Sequence, residues 1–351
     1  MRWTTRSLDV QKAGLTARFA LALAGAAAGW QMAHAQPLTK VSIAQPVLAS
    51  VSMPMFYARD AGIFRKNGLE VDLPMFRGGP AANAALISGS VEFVAADPYE
   101  FLKVADTGKI TRVLTLVHSL TVDFVVSHAF IKARGIDPAA PAKERIAKMK
   151  GMRFGSVVVG GSSEGFARLL FKYGGLDPDK DIERIQAGGA AQLLGAMQAG
   201  QIDAFILSPP SGFTAERMGV GRILVAAKEI PDFEGILFTG VQARGEFINA
   251  RPDIVSRLVK SLVEAQRFIG DSPAEAAKTL KAGAFVDFDQ SDLEATIRVM
   301  GETFRPRPQS LADWTRTQSF FRQAVADPSL AQIDIKEEVI WTNRFVNEAL
   351  R

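Results

Sequence analysis

The sequence has no cysteine among its 351 residues. Disulfides and thiolate chemistry are therefore excluded, and stability must come from packed cores alone. A lipid carried on a mature N-terminal cysteine is excluded for the same reason. Histidine is scarce, with only His34, His118 and His128 in the chain. No two of them stand at metal-ligand spacing. The D-x-D-x-D-G run of a calcium loop is also absent, so a carboxylate-only site is the one metal reading left open. No metal and no cofactor is expected.

Long hydrophobic runs are missing too. The longest apolar stretch, Phe19 to Trp30 (FALALAGAAAGW), falls well short of the roughly 20 residues of a membrane span. It follows Arg2, Arg6, Lys12 and Arg18 and precedes Ala33-His34-Ala35 and Gln36-Pro37. A basic region, a short apolar region and an A-x-A site form a secretory leader. The expectation is a signal peptide over residues 1–35, cut near Ala35, and export to the periplasm. A membrane anchor is the alternative, and the apolar run is short for it. The chain carries 41 Lys and Arg against 37 Asp and Glu. Removing residues 1–35 takes away four basic residues and Asp9, leaving 37 against 36 and a net of +1. Net charge thus implies no nucleic-acid or anionic-lipid surface.

What the sequence does contain is a repeat. Residues 78–98 read GGPAANAALISGSVEFVAADP, and residues 189–209 read GAAQLLGAMQAGQIDAFILSP. Gly89 aligns with Gly200, Glu92 with Asp203, and Pro98 with Pro209. Each copy reads as a small-residue helix, a glycine stop, a buried strand and a closing proline. A unit of about a hundred residues repeated once implies two similar lobes rather than a solenoid. Clefts between lobes bind small molecules.

Strand and helix signals alternate through both halves, which implies parallel α/β sheets. From about Pro252 onward the pattern turns helical, and this tail is expected to pack on the first lobe. The expected organisation is residues 36–124 plus 242–351 as lobe one and 125–241 as lobe two. The chain would leave lobe one near Asp123–Ser127 and return near Phe238–Arg244, giving a two-strand hinge.

Gly161-Ser162-Ser163-Glu164-Gly165 matches G-x-S-x-G between a strand and a helix. A hydrolase triad would need a histidine after the serine, and none follows His128. Gly160-Gly161-Ser162 lacks the lysine of a phosphate loop. Ser162 and Ser163 then read either as donors to an anion at a helix N-terminus or as plain caps. Gly78-Gly79 and Gly188-Gly189 precede the paired helices, as a facing pair of helix ends or as simple turns. Arg77 reads as a clamp for a carboxylate or sulfonate, or as a solvated rim residue. Asp97, before Pro98, is either an acceptor for a ligand donor or a helix cap. Ser208, before Pro209, holds the matching place in lobe two. His118, after a strand near the hinge, reads as structural or as a ligand contact. Pro46, Ser50, Ser52 and Met53, in the first loop and helix start, complete the candidate contacts.

The order KVSIAQP…PMFYARDAGIFRKNGLEVDL (Lys40 to Leu73), ALISGSVEF (Ala85–Phe93), MKGMRFGS (Met149–Ser156) and AMQAGQIDA (Ala196–Ala204) resembles a known family. It is similar to nitrate/sulfonate/taurine-type solute-binding proteins of ABC importers, a group that includes thiamine-precursor-type members. The resemblance implies a type II periplasmic binding protein fold, no catalysis, and delivery of a solute to a membrane permease. The expected solute is a small organic anion, sulfonate- or carboxylate-like, bound by a monomer. The rivals are an enzyme on the same two-lobe fold and a ligand sensor.

Overall fold

The structure, a computed structural model, describes residues 37–105, 109–325 and 333–351; the expected leader at residues 1–35 lies outside the described residues. Among the described residues, ten strands form two five-stranded sheets. They are β1 (Thr39–Ala44), β2 (Leu69–Asp72), β3 (Phe93–Ala96), β4 (Ile110–Thr115), β5 (Asp123–Ser127), β6 (Met152–Ser156), β7 (Ile182–Gln186), β8 (Ala204–Leu207), β9 (Gly221–Ala226) and β10 (Gly240–Arg244). The first sheet runs β2-β1-β3-β10-β4 and the second β7-β6-β8-β5-β9. The central strands β3 and β8 are buried along their whole length. Their sequences, FVAA and AFIL, are the continuous apolar runs that strands covered on both faces require.

The sequence repeat is a repeat of register. Val41 faces Val71 in the first sheet, and Met152 faces Ile182 in the second. Ile43 pairs with Phe93, and Phe154 with Ala204. One constant offset relates every member of these pairs. Glu92 Oε2 accepts the Ser42 amide at 2.8 Å, and Asp203 Oδ2 accepts the Arg153 amide at 2.8 Å. The aligned acids therefore tie the same backbone position of each lobe's first strand.

β5 and β10 are the two crossings. Each runs antiparallel to both of its neighbours, and each carries a bulge after its second residue, between Phe124/Val125 and Val241/Gln242. β5 pairs only within the second sheet and β10 only within the first. Asp123 pairs with Leu207 and Ala226 in the second sheet, and Gly240 with Ala96 and Thr115 in the first. The flanking residues Val122 and Phe238 are as apolar and buried as the strands. Only the partner strands fix where pairing starts.

The tail is helical, with helices Pro252–Asp271, Pro273–Ala282, Gln290–Met300, Leu311–Val325 and Arg344–Leu350. Ile254, Val255, Leu258, Leu262 and Ile269 recur on one face of the first and are buried. Each such side chain contributes about 1.5–3 kcal/mol. That face packs on the Met53–Asp60 helix of the first lobe, where Phe268 stacks on Tyr57 at 5.2 Å. The tail also touches the second lobe. Phe321 lies 5.9 Å from Phe166, and Asp292 Oδ2 accepts from Thr214 Oγ1 at 3.0 Å and Arg217 Nε at 3.1 Å. Among the described residues, no helix is long and apolar enough to cross a membrane.

Candidate functional site

A chamber of about 90 Å³ lies where the carboxyl ends of β1, β3, β6 and β8 converge. Open α/β sheets bind ligands outside these strand ends. The first lobe supplies Gln45, Pro46, Ser52, Met55, Gly78, Gly79 and Asp97 to its wall. The second supplies Val157, Val158, Ser162, Ser163, Phe166 and Ser208. A larger outer cavity of about 630 Å³ shares Pro46, Val47, Gly78, Val157 and Val158 with it and adds Arg77, Gly188 and Gly189. The structure thus brings eight of the expected contacts to the chamber: Pro46, Ser52, Gly78, Gly79, Asp97, Ser162, Ser163 and Ser208. Arg77, Gly188 and Gly189 border only the outer cavity.

The remaining five sit elsewhere. Met53 is buried in the core, and Pro98 is the first residue of the Pro98–Ala105 helix. Ser50 and Pro209 join the lobes through their backbones, the Ser50 amide donating to the Pro209 carbonyl at 2.7 Å. His118 is buried off the chamber, with its amide bonded to the Thr303 carbonyl at 3.1 Å. Burial first, then Arg307, pulls its imidazole down to about 3, with Asp313 opposing. Burial thus favours the neutral imidazole.

Asp97 has two roles at once. Its Oδ1 accepts the Glu100 amide at 3.1 Å, the capping bond expected three residues into a helix. Its Oδ2 accepts the Ser162 hydroxyl from the other lobe. Burial pushes its carboxyl up, while the Ser162 and Glu100 hydrogen bonds and Arg112 pull the other way. The expected capping serine in the 160–163 turn is a correction. Gly161 is the cap position of the Ser162–Tyr173 helix, and neither serine makes a capping bond. Ser162 donates to Asp97, and Ser163 Oγ accepts the Val157 amide at 3.3 Å. Ser52 makes no capping bond to the Met53–Asp60 helix it precedes; its hydroxyl donates to the Ala49 carbonyl at 2.7 Å and accepts the Ala49 amide at 3.2 Å.

Two groups at or behind the wall went unread in the sequence. Arg112 is wholly buried on β4. It donates to the Phe238 and Ala96 carbonyls, both at 2.9 Å, and lies 4.9 Å over Phe101 and 5.0 Å over Trp314. Burial pulls it down to about 9, with Asp97 opposing. An arginine inside the apolar run ITRVLT was the available signal. Gln45 is the other. Its Nε2 faces the Ile43 carbonyl at 3.2 Å and Met55 Sδ at 3.1 Å, which fixes the amide orientation. Its Oε1 is buried with no protein partner. Glu100, beneath Gly79, is pushed up to about 7 by burial and then by Asp97, with Lys103 opposing. Among the described residues, no three His, Asp or Glu side chains are grouped to hold a metal ion.

Residues 35–283 match the NMT1-like family over most of the chain. This chain belongs to the NMT1-like family. A curated relative of this NMT1-like chain is YtlA of Bacillus subtilis, named as a binding protein, 22% identical over 264 residues and 75% of each chain. Among solved structures, the periplasmic nitrate-binding protein NrtA of Synechocystis superposes with a TM-score of 0.70 at 14% identity, covering 89% of this chain and 88% of NrtA. The alkanesulfonate-binding protein SsuA of Xanthomonas axonopodis, bound to MOPS, gives 0.65 at 18% identity, covering 89% and 98%. These likenesses show the periplasmic binding protein fold. The desulfurization enzyme DszB shares it, with a TM-score of 0.60 at 14% identity over 89% and 99%.

Proposed function

We propose that this NMT1-like protein is the periplasmic solute-binding component of an ABC importer, acting as a monomer that hands its solute to a permease. In this reading lobe one is residues 36–124 with 242–351, and lobe two is 125–241. The observation that carries the reading is a chamber walled by both lobes and closed by two contacts between them, Ser162 to Asp97 and Ser50 to Pro209. A ligand held there touches both lobes only when they are together, so binding favours the closed state. Catalysis finds little support in the wall. The G-x-S-x-G serine position has no imidazole beside it, because His118 lies off the chamber. The finer expectation of a sulfonate or carboxylate is supported by the helix N-terminus at Ser162 and by Arg77 at the outer cavity.

The absence of cysteine makes the test direct. Met75 and Val159 are exposed beside the mouth, at 52% and 57%. Met75→Cys and Val159→Cys would carry spin labels on opposite lobes without competing thiols. Solutes from a periplasmic extract should shorten the interlabel distance. No change with any solute, or turnover of one, would defeat the proposal.

A further inference from the structure

The polar side chains of the chamber wall divide into those already engaged and those still free. Asp97 accepts from the Glu100 amide and the Ser162 hydroxyl, and Ser52 is tied to Ala49. Gln45 Oε1 is sealed inside the protein and does not reach the chamber. Three hydroxyls remain, those of Ser163, Ser208 and Thr239. Ser163 Oγ accepts the Val157 amide and keeps its hydrogen to give. Ser208 and Thr239 are only 5% and 4% exposed, line the chamber, and find no protein partner for their hydroxyls. A buried hydroxyl left alone is a standing cost that a ligand atom removes. On the same wall the Ser162–Tyr173 helix begins without a side-chain cap, so its first amides and its partial positive charge add to the donors.

Thr239 differs from the two serines in its place. It stands directly before β10, where the chain returns to the first sheet. Its carbonyl accepts the Leu116 and Val117 amides at 2.8 and 3.0 Å, and Arg112 holds the neighbouring Phe238 carbonyl at 2.9 Å. Val122, from the outgoing crossing, lines the chamber together with Phe238 and Thr239. Both connecting segments therefore form part of the wall, and backbone bonds fix Thr239 before any ligand arrives, which lowers the cost of binding to it. We infer that Thr239, with Ser208 and Ser163, forms the subsite that receives the oxygens of the solute's acidic end. This rests on the solute-binding reading and deepens it by assigning the contacts. A chamber of about 90 Å³ holds little more than that end, and the rest of the solute leads past Gly78 and Val158 into the outer cavity.

The test is calorimetry of the full chain with butyrate, butane-1-sulfonate and butylamine. At least one acid should bind. Thr239→Val keeps the shape and removes the hydroxyl, and it should weaken that acid about tenfold or more. Thr239→Ser keeps the hydroxyl and should bind close to wild type, a rescue that a purely structural role would not give. Ser208→Ala is the second variant and should weaken the acid in the same direction. Melting without solute checks that each variant is folded. Wild-type affinity in both Thr239→Val and Ser208→Ala overturns the inference, and so does an equal loss in Thr239→Ser and Thr239→Val. Binding of the amine with neither acid also overturns it, as does failure of all three probes. The spin labels at positions 75 and 159 then separate the two claims. If a periplasmic extract still shortens their distance, the solute-binding reading survives and only the subsite falls. If no solute alters it, both fall.

Discussion

Ser162 donates its hydroxyl hydrogen to Asp97 across the interlobe chamber, between side chains 65 positions apart. Each residue begins a helix in its own lobe, so the bond joins two helix starts. A hydrogen bond to a charged partner contributes about 1.5–3 kcal/mol. We predict that Ser162→Ala moves the population toward the open state, read as a longer mean distance between the labels at positions 75 and 159. An unchanged distance distribution would show that the bond plays no part in closure.

Gly78 has φ +83°, and a Cβ built on it would stand 2.8 Å from Val158 Cγ1 of the other lobe. Both the backbone conformation and the contact oppose a side chain there. Gly78→Ala is expected to prop the lobes apart and weaken solute affinity by about 1–3 kcal/mol. Calorimetry on the variant checks this, and wild-type affinity would refute it.

Arg112 holds two buried carbonyls, of Phe238 and Ala96, so removing it leaves both short of a partner. Arg112→Met should destabilise the protein by about 3 kcal/mol or more. Denaturant unfolding measures the loss, and a change under about 1 kcal/mol would contradict the role given to it.

Asp123 opens β5, and burial, reinforced by Glu216 and opposed by Lys228, pushes its carboxyl up to about 7. The folded protein therefore holds this proton more tightly than the unfolded chain does. Stability from this group is full below the ordinary carboxylate range and is lost as pH rises through about 7. Asp123→Asn should match wild type in melting temperature near pH 4 and exceed it by several degrees at pH 8. Parallel melting curves at both pH values would rule this out.

His118 has the opposite sign. Its imidazole is pulled down to about 3, and both ring nitrogens are buried without partners. The unfolded chain takes up a proton below its ordinary value of 6.5 while the folded state does not. Stability is then lost as pH falls from there toward about 3. His118→Leu should flatten the decline between pH 7 and pH 5 in thermal melts. A variant as acid-sensitive as wild type would assign the acid limb to other groups.

The fold was largely legible because duplication leaves a local trace. Gly89 and Gly200, Glu92 and Asp203 mark the same turn and the same strand tie in each lobe, and the register follows them. The crossing strands were harder to bound, since Val122 and Phe238 carry no turn signal. The site was legible only as separate halves. Asp97 reads locally as a cap, and it is one. Its second bond, to Ser162, depends on how the lobes meet, and no spacing within either segment encodes that. Arg112 and Gln45 act through carbonyls brought close by the fold, so their residue types were visible but their partners were not.

The C-terminal helices grip both lobes: Phe268 rests on Tyr57 of the first, while Asp292 reaches Thr214 and Arg217 of the second. The second of these contacts lies at Thr214, on the rim of the outer cavity, so parting the lobes there must break it. Apparent affinity scales with the fraction of molecules already competent to bind. A residue outside the chamber wall, such as Asp292, thereby becomes a setting for how firmly a solute is kept and how readily it is surrendered.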